Sequence, residues 1–227
     1  MAEGTAVGGK KVWDFTPNSV GKGKGEITVK NADRTVVVEK VASSMSIKAS
    51  RGGEVELTFS VSGYVKSITD GQDNTLADPV KPKASVLSTT DGVNTGVTVD
   101  SNIIDPLSLE FAMNLETKMP PVLISANQVV VIHGAKHTLK LGAYLSSGAF
   151  EEGFDSIVAG DTVAIDVNFE DTSDTIIWEL LVPVAKVSNT PNRGDNEGAY
   201  SIEKEYLCRP TSGNDNFTLK YYSNIAA

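Results

Sequence analysis

The chain has 227 residues with 20 Lys+Arg against 29 Asp+Glu, a net charge of −9 and a pI near 4.8. Such an acidic surface opposes condensation on nucleic acid or on an anionic membrane, and it argues against a sequence-reading DNA binder. With 40% hydrophobic and 22% charged residues the composition is that of a folded domain, and at this length roughly 70% of the extended surface can be buried without disulfides or metals.

In chain order, residues 1–25 are rich in Gly and Lys (GGKK, GKGKG) and read as a flexible arm with local positive charge, leaving 26–227 as a single β domain. Their opening stretch has no apolar run of the signal-peptide kind, so synthesis in the cytoplasm is expected. Strands are predicted at Glu26–Lys30, Thr35–Val41 and Met45–Ala49. The clearest period-two alternation follows at Glu54 to Tyr64: Val55, Leu57, Phe59 and Val61 on a core face, Glu54, Glu56, Thr58, Ser60 and Ser62 on a wet one. Lys66–Ala84 is long, polar and Pro-containing, which predicts a functional loop.

Beyond it come Val97–Asp100 and a second alternating strand, Leu107, Leu109, Phe111 and Met113 against Ser108, Glu110, Ala112 and Asn114. Val129–Ile132 and His137–Leu141 read as two strands joined by a hairpin at HGAKH. The stretch 147–160 carries Phe150, Phe154, Ile157 and Val158 at helical spacing and predicts the chain's one short helix. Val163, Ile165, Val167 and Phe169 alternate with Thr162, Asp166, Asn168 and Glu170. Thr175–Leu181 is apolar on nearly both sides, as a mid-sheet strand is, with Trp178 in the core. Val184–Ser188, Ala199–Leu207 and Asn216–Tyr222 complete the set, separated by Gly/Asn/Asp turns. The fold class is mostly β: an antiparallel sandwich or incomplete barrel with one short helix and long polar loops.

Chemistry-bearing patterns are few. His133 and His137 stand four apart, but the flanking residues are strand-like and no glutamate lies between them, so a hairpin-end or exposed pair is preferred to a metal site. Cys208 is the single cysteine and has no histidine beside it in sequence, which favours a small buried hydrophobe over a nucleophile. Asp70/Asp73 and Glu170/Asp171/Asp174 do not fit a calcium loop and read as solvated turns. Arg193-Gly194-Asp195 reads as a turn in a Pro/Asn/Gly loop, not as an adhesion motif. No catalytic residue, cofactor or metal is expected, and the chain is read as a non-enzyme.

Three segments, Glu54–Gly63, Ser108–Glu116 and Gly194–Lys204, carry a pattern of strands and turns ("EVELTFSVSG", "SLEFAMNLE", "GDNEGAYSIEK") that resembles the tail tube proteins of long-tailed bacteriophages over roughly Met45 to Tyr222. The resemblance implies a virion protein whose partners are its own copies and other tail proteins. Six-fold rings would stack into a channel that passes DNA without specific binding and touches no membrane. Under it, Glu54, Glu56, Thr58 and Ser60 are expected to face the lumen. Asp70, Asp73, Asn74, Asp78, Lys81 and Lys83 are expected in a ring-stacking loop. Other tail components, or a carbohydrate-binding or adhesin-like sandwich, are the alternatives.

Overall fold

A computed structural model describes residues 2–3, 10–15, 21–22, 25–30, 33–71, 86–87, 96–120, 129–144, 160–171, 175–196, 198–213 and 215–226. The first strands are β1 (Ala2–Glu3), β2 (Lys10–Phe15), β3 (Gly21–Lys22), β4 (Gly25–Lys30), β5 (Arg34–Ser50) and β6 (Glu56–Asp70). Short strands β7 (Val86–Leu87), β8 (Val97–Val99) and β9 (Asn102–Ile104) precede the long pair β10 (Pro106–Lys118) and β11 (Val131–Tyr144). The chain ends with β12 (Thr162–Glu170), β13 (Ile176–Val187), β14 (Asn192–Asn196), β15 (Ala199–Arg209) and β16 (Thr218–Ala226).

Every ladder is antiparallel, and the backbone of the sheet runs β6-β5-β10-β11-β15-β13-β12, with β7 and β8 on the far edge of β12. The sheet curls, and one isolated bridge, Glu54↔Val86, joins its two ends. A lone bridge is not a ladder, so the sheet does not close into a barrel.

Side-chain rows explain why these residues make this sheet. Directly paired residues share a face, so pairings can be followed from strand to strand. Leu57, Ile47, Phe111, Leu139, Tyr206 and Val187 form one such row across six strands, and all but Leu57 are buried. Phe217 closes on this row with its ring 4.7 Å from Phe111 in an edge-on contact. At about 25 cal/mol per Å² of apolar area, such rows are the main stabilising term. A smaller cluster, Ala42, Val130 and Ile132 with Tyr64 and Leu115 against it, lies under the start of β11.

Several predicted elements differ in extent. Thr35–Val41 and Met45–Ala49 are one strand, as are Thr175–Leu181 and Val184–Ser188, because a β-bulge or a bend absorbs the irregular residues. HGAKH is not a hairpin: it lies inside β11, paired with β10 on one side, and a bulge at Glu116/Thr117 takes up His133. Arg193-Gly194-Asp195 lies in β14, paired with β15, and is not a loop. The long loop does not begin at Lys66, since β6 runs to Asp70. The expected wet face of β12 is not wet: Asn168 and Glu170 are buried beside buried Phe169. The mid-sheet place of β13 holds, with β12 on one edge and β15 and β16 sharing the other. Within residues 1–25, β2 pairs with β16 and β3 with β11. The helix expected over 147–160 lies outside the described residues except for its final Gly160.

Beyond the core, β4, the first half of β5 and the second half of β6 form a three-stranded extension. Its root is a crowded crossing. Lys40 takes a positive φ of 55° at a bulge in β5, and Gly63 faces it. A Cβ on Gly63 would stand 2.6 Å from Val38 Cγ1 and 3.0 Å from the Glu39 carbonyl, so the close approach of the two strands requires glycine. At the tip, Arg34 Nε donates to Asp70 Oδ1 at 2.6 Å, and the Gly71 amide donates to the Asp33 carbonyl at 2.9 Å.

Candidate self-assembly surface

The polar face of the sheet holds the residues expected to face a lumen. Glu56 on β6 is paired with Lys48, Lys48 with Glu110, Glu110 with Lys140 and Lys140 with Glu205, an alternating row of charge across five strands. Lys48 Nζ stands 3.5 Å from Glu110 Oε1, with both side chains about half exposed. The next row is Thr58, Ser46, Ala112, Thr138 and Leu207, small or uncharged throughout. Thr58 and Ser60 are exposed beside Glu56 on the same face. Glu54 is exposed too, but it sits at the bridge to β7, ahead of the strand. The acids that the sequence reading placed on this face are therefore interleaved with lysines from neighbouring strands. The charged row of this face is a mosaic of both signs.

The edge of β6 away from β5 has no partner among the described residues over the full length of Glu56–Asp70. An unpaired edge of that length presents a row of amide and carbonyl groups ready to accept another strand. Of the devices that usually blunt such an edge, β6 has no proline; it has one cation, Lys66, which stands at a bulge between Val65↔Val38 and Ser67↔Val37. Lys66 is occupied by Glu26, whose Oε2 lies 2.6 Å from Nζ and holds the ammonium pKa above its ordinary value.

The apolar row of β6 behaves unexpectedly. Val55 and Leu57 lean on the core, but Phe59 is 60% exposed and Val61 46%, and the row continues past the root into exposed Val65 and Ile68. Ile27 and Val29 of β4 and Val36 and Val38 of β5 share that face through the pairs Ile27↔Val38, Val29↔Val36, Val38↔Val65 and Val36↔Ile68. Alternation finds such a face but does not say whether the protein's own core covers it.

The other candidates fall as follows. Of the expected stacking-loop residues, Asp70 is at the end of β6 in its ion pair with Arg34, while Asp73, Asn74, Asp78, Lys81 and Lys83 lie outside the described residues. His133 is exposed, with Nδ1 2.9 Å from the Glu116 carbonyl. His137, expected at a hairpin end or in solvent, is instead 1% exposed. It shares a row with Met113 and Cys208, and its ring is edge-on to Phe217 at 5.3 Å. Neither ring nitrogen has a hydrogen-bond partner among the described residues, and burial lowers its pKa. The two histidines do not converge on one site. Cys208 is buried, and burial pushes its thiol up to about 12, which disfavours the thiolate. Glu170 and Asp171 are buried and not solvated, with Asp171 Oδ1 accepting the Thr175 amide; Asp174 lies outside the described residues. No group of three His, Cys, Asp or Glu side chains among the described residues is placed to hold a metal.

The sequence reading missed a second polar cluster. Glu179 Oε2 accepts from Lys220 Nζ at 2.9 Å and from the Tyr222 hydroxyl at 2.6 Å. Asp166 lies nearby, its pKa raised to about 6 by burial and by the Glu179 carboxylate, with Lys220 opposing. A cleft of 570 Å³ is lined by polar residues that include Asp100, Asn102, Asp161, Lys204 and Tyr206. Compared with known protein families and with curated proteins, the chain matches none.

Proposed function

We propose that this chain is a structural subunit of a bacteriophage tail tube, assembling side by side into six-fold rings that stack around a channel for the genome. The observation that carries the reading is the free edge of β6. On the side away from β5, the fifteen residues of β6 have no strand partner among the described residues. A sister copy that supplies the missing strand makes a heterologous contact, which closes into a ring when the rotation between copies closes. The curled sheet favours closure, since its two ends present different strands.

The polar face supports the channel role in a modified form. In the charged row three Glu alternate with two Lys at pairing distance and largely offset one another, so DNA sliding past finds no basic patch on which to release counterions and only a weak field to repel it. On this reading the protein performs no catalysis and needs no cofactor. Its partners are sister copies and other tail proteins, and it resides in the virion.

Light scattering and negative-stain electron microscopy of the purified protein test the proposal: rings or tubes are expected as concentration rises. A strict monomer at every concentration and salt condition would sink it and favour a different tail part or an adhesin. Within the virion, Glu54→Lys with Glu56→Lys is expected to leave the fold intact and slow genome passage, because it turns the edge of the mosaic basic. Undiminished infectivity of that double variant argues against a lumenal position for the face.

A further inference from the structure

The extension built from β4, β5 and β6 is apolar on one face and unusual in its charge. We propose that this face docks on the same face of a second copy, arm against arm. The inference rests on the self-assembly reading for its partner, and extends it from the edge of β6 to one face of the arm.

Three observations lead to that occupant. The first is area. Val29, Val65 and Ile68 on the arm, with Phe59 and Val61 on the same face just before its root, are each about half exposed or more, and together they offer apolar surface on the order of 500 Å², at the upper end of what a monomer leaves uncovered. With half-buried Ile27, Val36 and Val38 the face approaches the roughly 800 Å² per partner of a stable interface.

The second is charge. Residues 25–40 and 64–70 contain Lys30, Arg34, Lys40 and Lys66 against Glu26, Asp33, Glu39 and Asp70, a net charge of zero in a chain of −9. Six of these eight charges form three pairs within the arm at 3.6 Å or less: Arg34 with Asp70, Lys66 with Glu26 and Lys40 with Glu39. Two copies repel through the rest of their surfaces, but the arms approach without that penalty. The third is the shortage of any other apolar counterpart. Outside the arm face, the large hydrophobic residues exposed among the described residues are Ile103, Met119 and Tyr200, and none of them neighbours another on a shared strand. The like face of a sister copy is the matching surface, and two sheet faces pack at about 10 Å with interdigitated side chains.

Such a contact is two-fold and self-limiting, unlike the head-to-tail contact of a ring.

The test is sedimentation equilibrium of the full chain below the concentration at which rings form, with microscopy run in parallel. Wild type is expected to dimerise. Val65→Lys with Ile68→Lys is expected to weaken the dimer at least 100-fold, since a charge buried at the contact is unpaired. Val65→Asp with Ile68→Asp is expected to do the same, and mixing the two variants is expected to restore a heterodimer. Ile103→Lys should leave dimerisation unchanged. A monomeric wild type, dimers indifferent to the arm substitutions, or a mixture that stays monomeric would each overturn the proposal. Circular dichroism confirms that the variants are folded. Dimers lost in the Lys variant while wild type never forms rings would sustain the arm contact and remove the tube reading. Rings in a wild type that never dimerises would do the reverse.

Discussion

The two halves of the β5–β6 ladder are made from similar residues and meet opposite fates. Near the Arg51–Gly53 turn, Ile47 is 1% exposed opposite Leu57, and the turn is anchored by Arg51, whose amide donates to Leu107 and whose guanidinium lies 2.7 Å from Asp105. At the far end, Val36 and Ile68 pair in the same geometry, yet Ile68 is 56% exposed. Strand pairing is identical in kind at both ends. What differs is whether a further layer stands over the face, and this decides whether an apolar row serves the fold or serves a contact.

The sharpest way to break that comparison is to truncate matching residues at the two ends. Ile47→Ala is expected to cost about 2–5 kcal/mol by leaving a cavity, while Val65→Ala changes the stability of the dilute protein by no more than about 0.5 kcal/mol. Urea unfolding checks both, and a large loss at Val65 would mean that the arm face is covered within one copy. Gly63→Ala probes the root, where the new methyl meets Val38; a loss of about 1–3 kcal/mol is expected.

Two ionisable groups of the core, buried His137 and half-buried Asp166, shift in ways that tie stability to pH. His137 is neutral when folded, and its pKa lies below that of the unfolded chain, so the unfolded state takes up the proton as pH falls through about 6.5 and stability declines on the acid side. His137→Leu should remove that decline and add about 1–2 kcal/mol at neutral pH by deleting two unpartnered nitrogens. An acid limb that survives in the variant would assign it to other groups.

Asp166 acts with the opposite sign. Its folded pKa of about 6 exceeds the unfolded carboxylate value, so the folded state holds the proton more tightly and stability from this group fades as pH rises from about 4 to 6. Asp166→Asn should therefore stabilise the protein at pH 7, by on the order of 1 kcal/mol once screening by the remaining solvent contact is allowed for. Equal stability gains at pH 4 and pH 7 would contradict the titration. The smallest effect belongs to the arm tip: Arg34→Ala removes an exposed ion pair and should shift unfolding by about 0.5 kcal/mol or less.

Much of the fold was legible in the sequence. Alternation located β6, β10 and β12 and assigned Leu109, Phe111, Ile165 and Val167 to the core, because a sheet with one packed face imposes period two on its strands. Bulges were not legible. At Lys40 and His133 the chain spends an extra residue without leaving its strand, and such an interruption looks like a turn when only local residues are read. The polar cluster at Asp166, Glu179 and Lys220 was hidden for another reason: the three come from different strands, and only pairing brings them together.

The amino-acid pattern alone determined that the protein is built of antiparallel strands with distinct apolar and polar faces, since that information is local and repeats every two residues. Tertiary structure alone decided which apolar face is covered. It also decided that Glu56 meets Lys48 and not another acid, and that β6 has no partner among the described residues on the side away from β5. Those outcomes depend on which strands become neighbours, a choice made by contacts far apart in the chain, and no periodicity within a single strand encodes it.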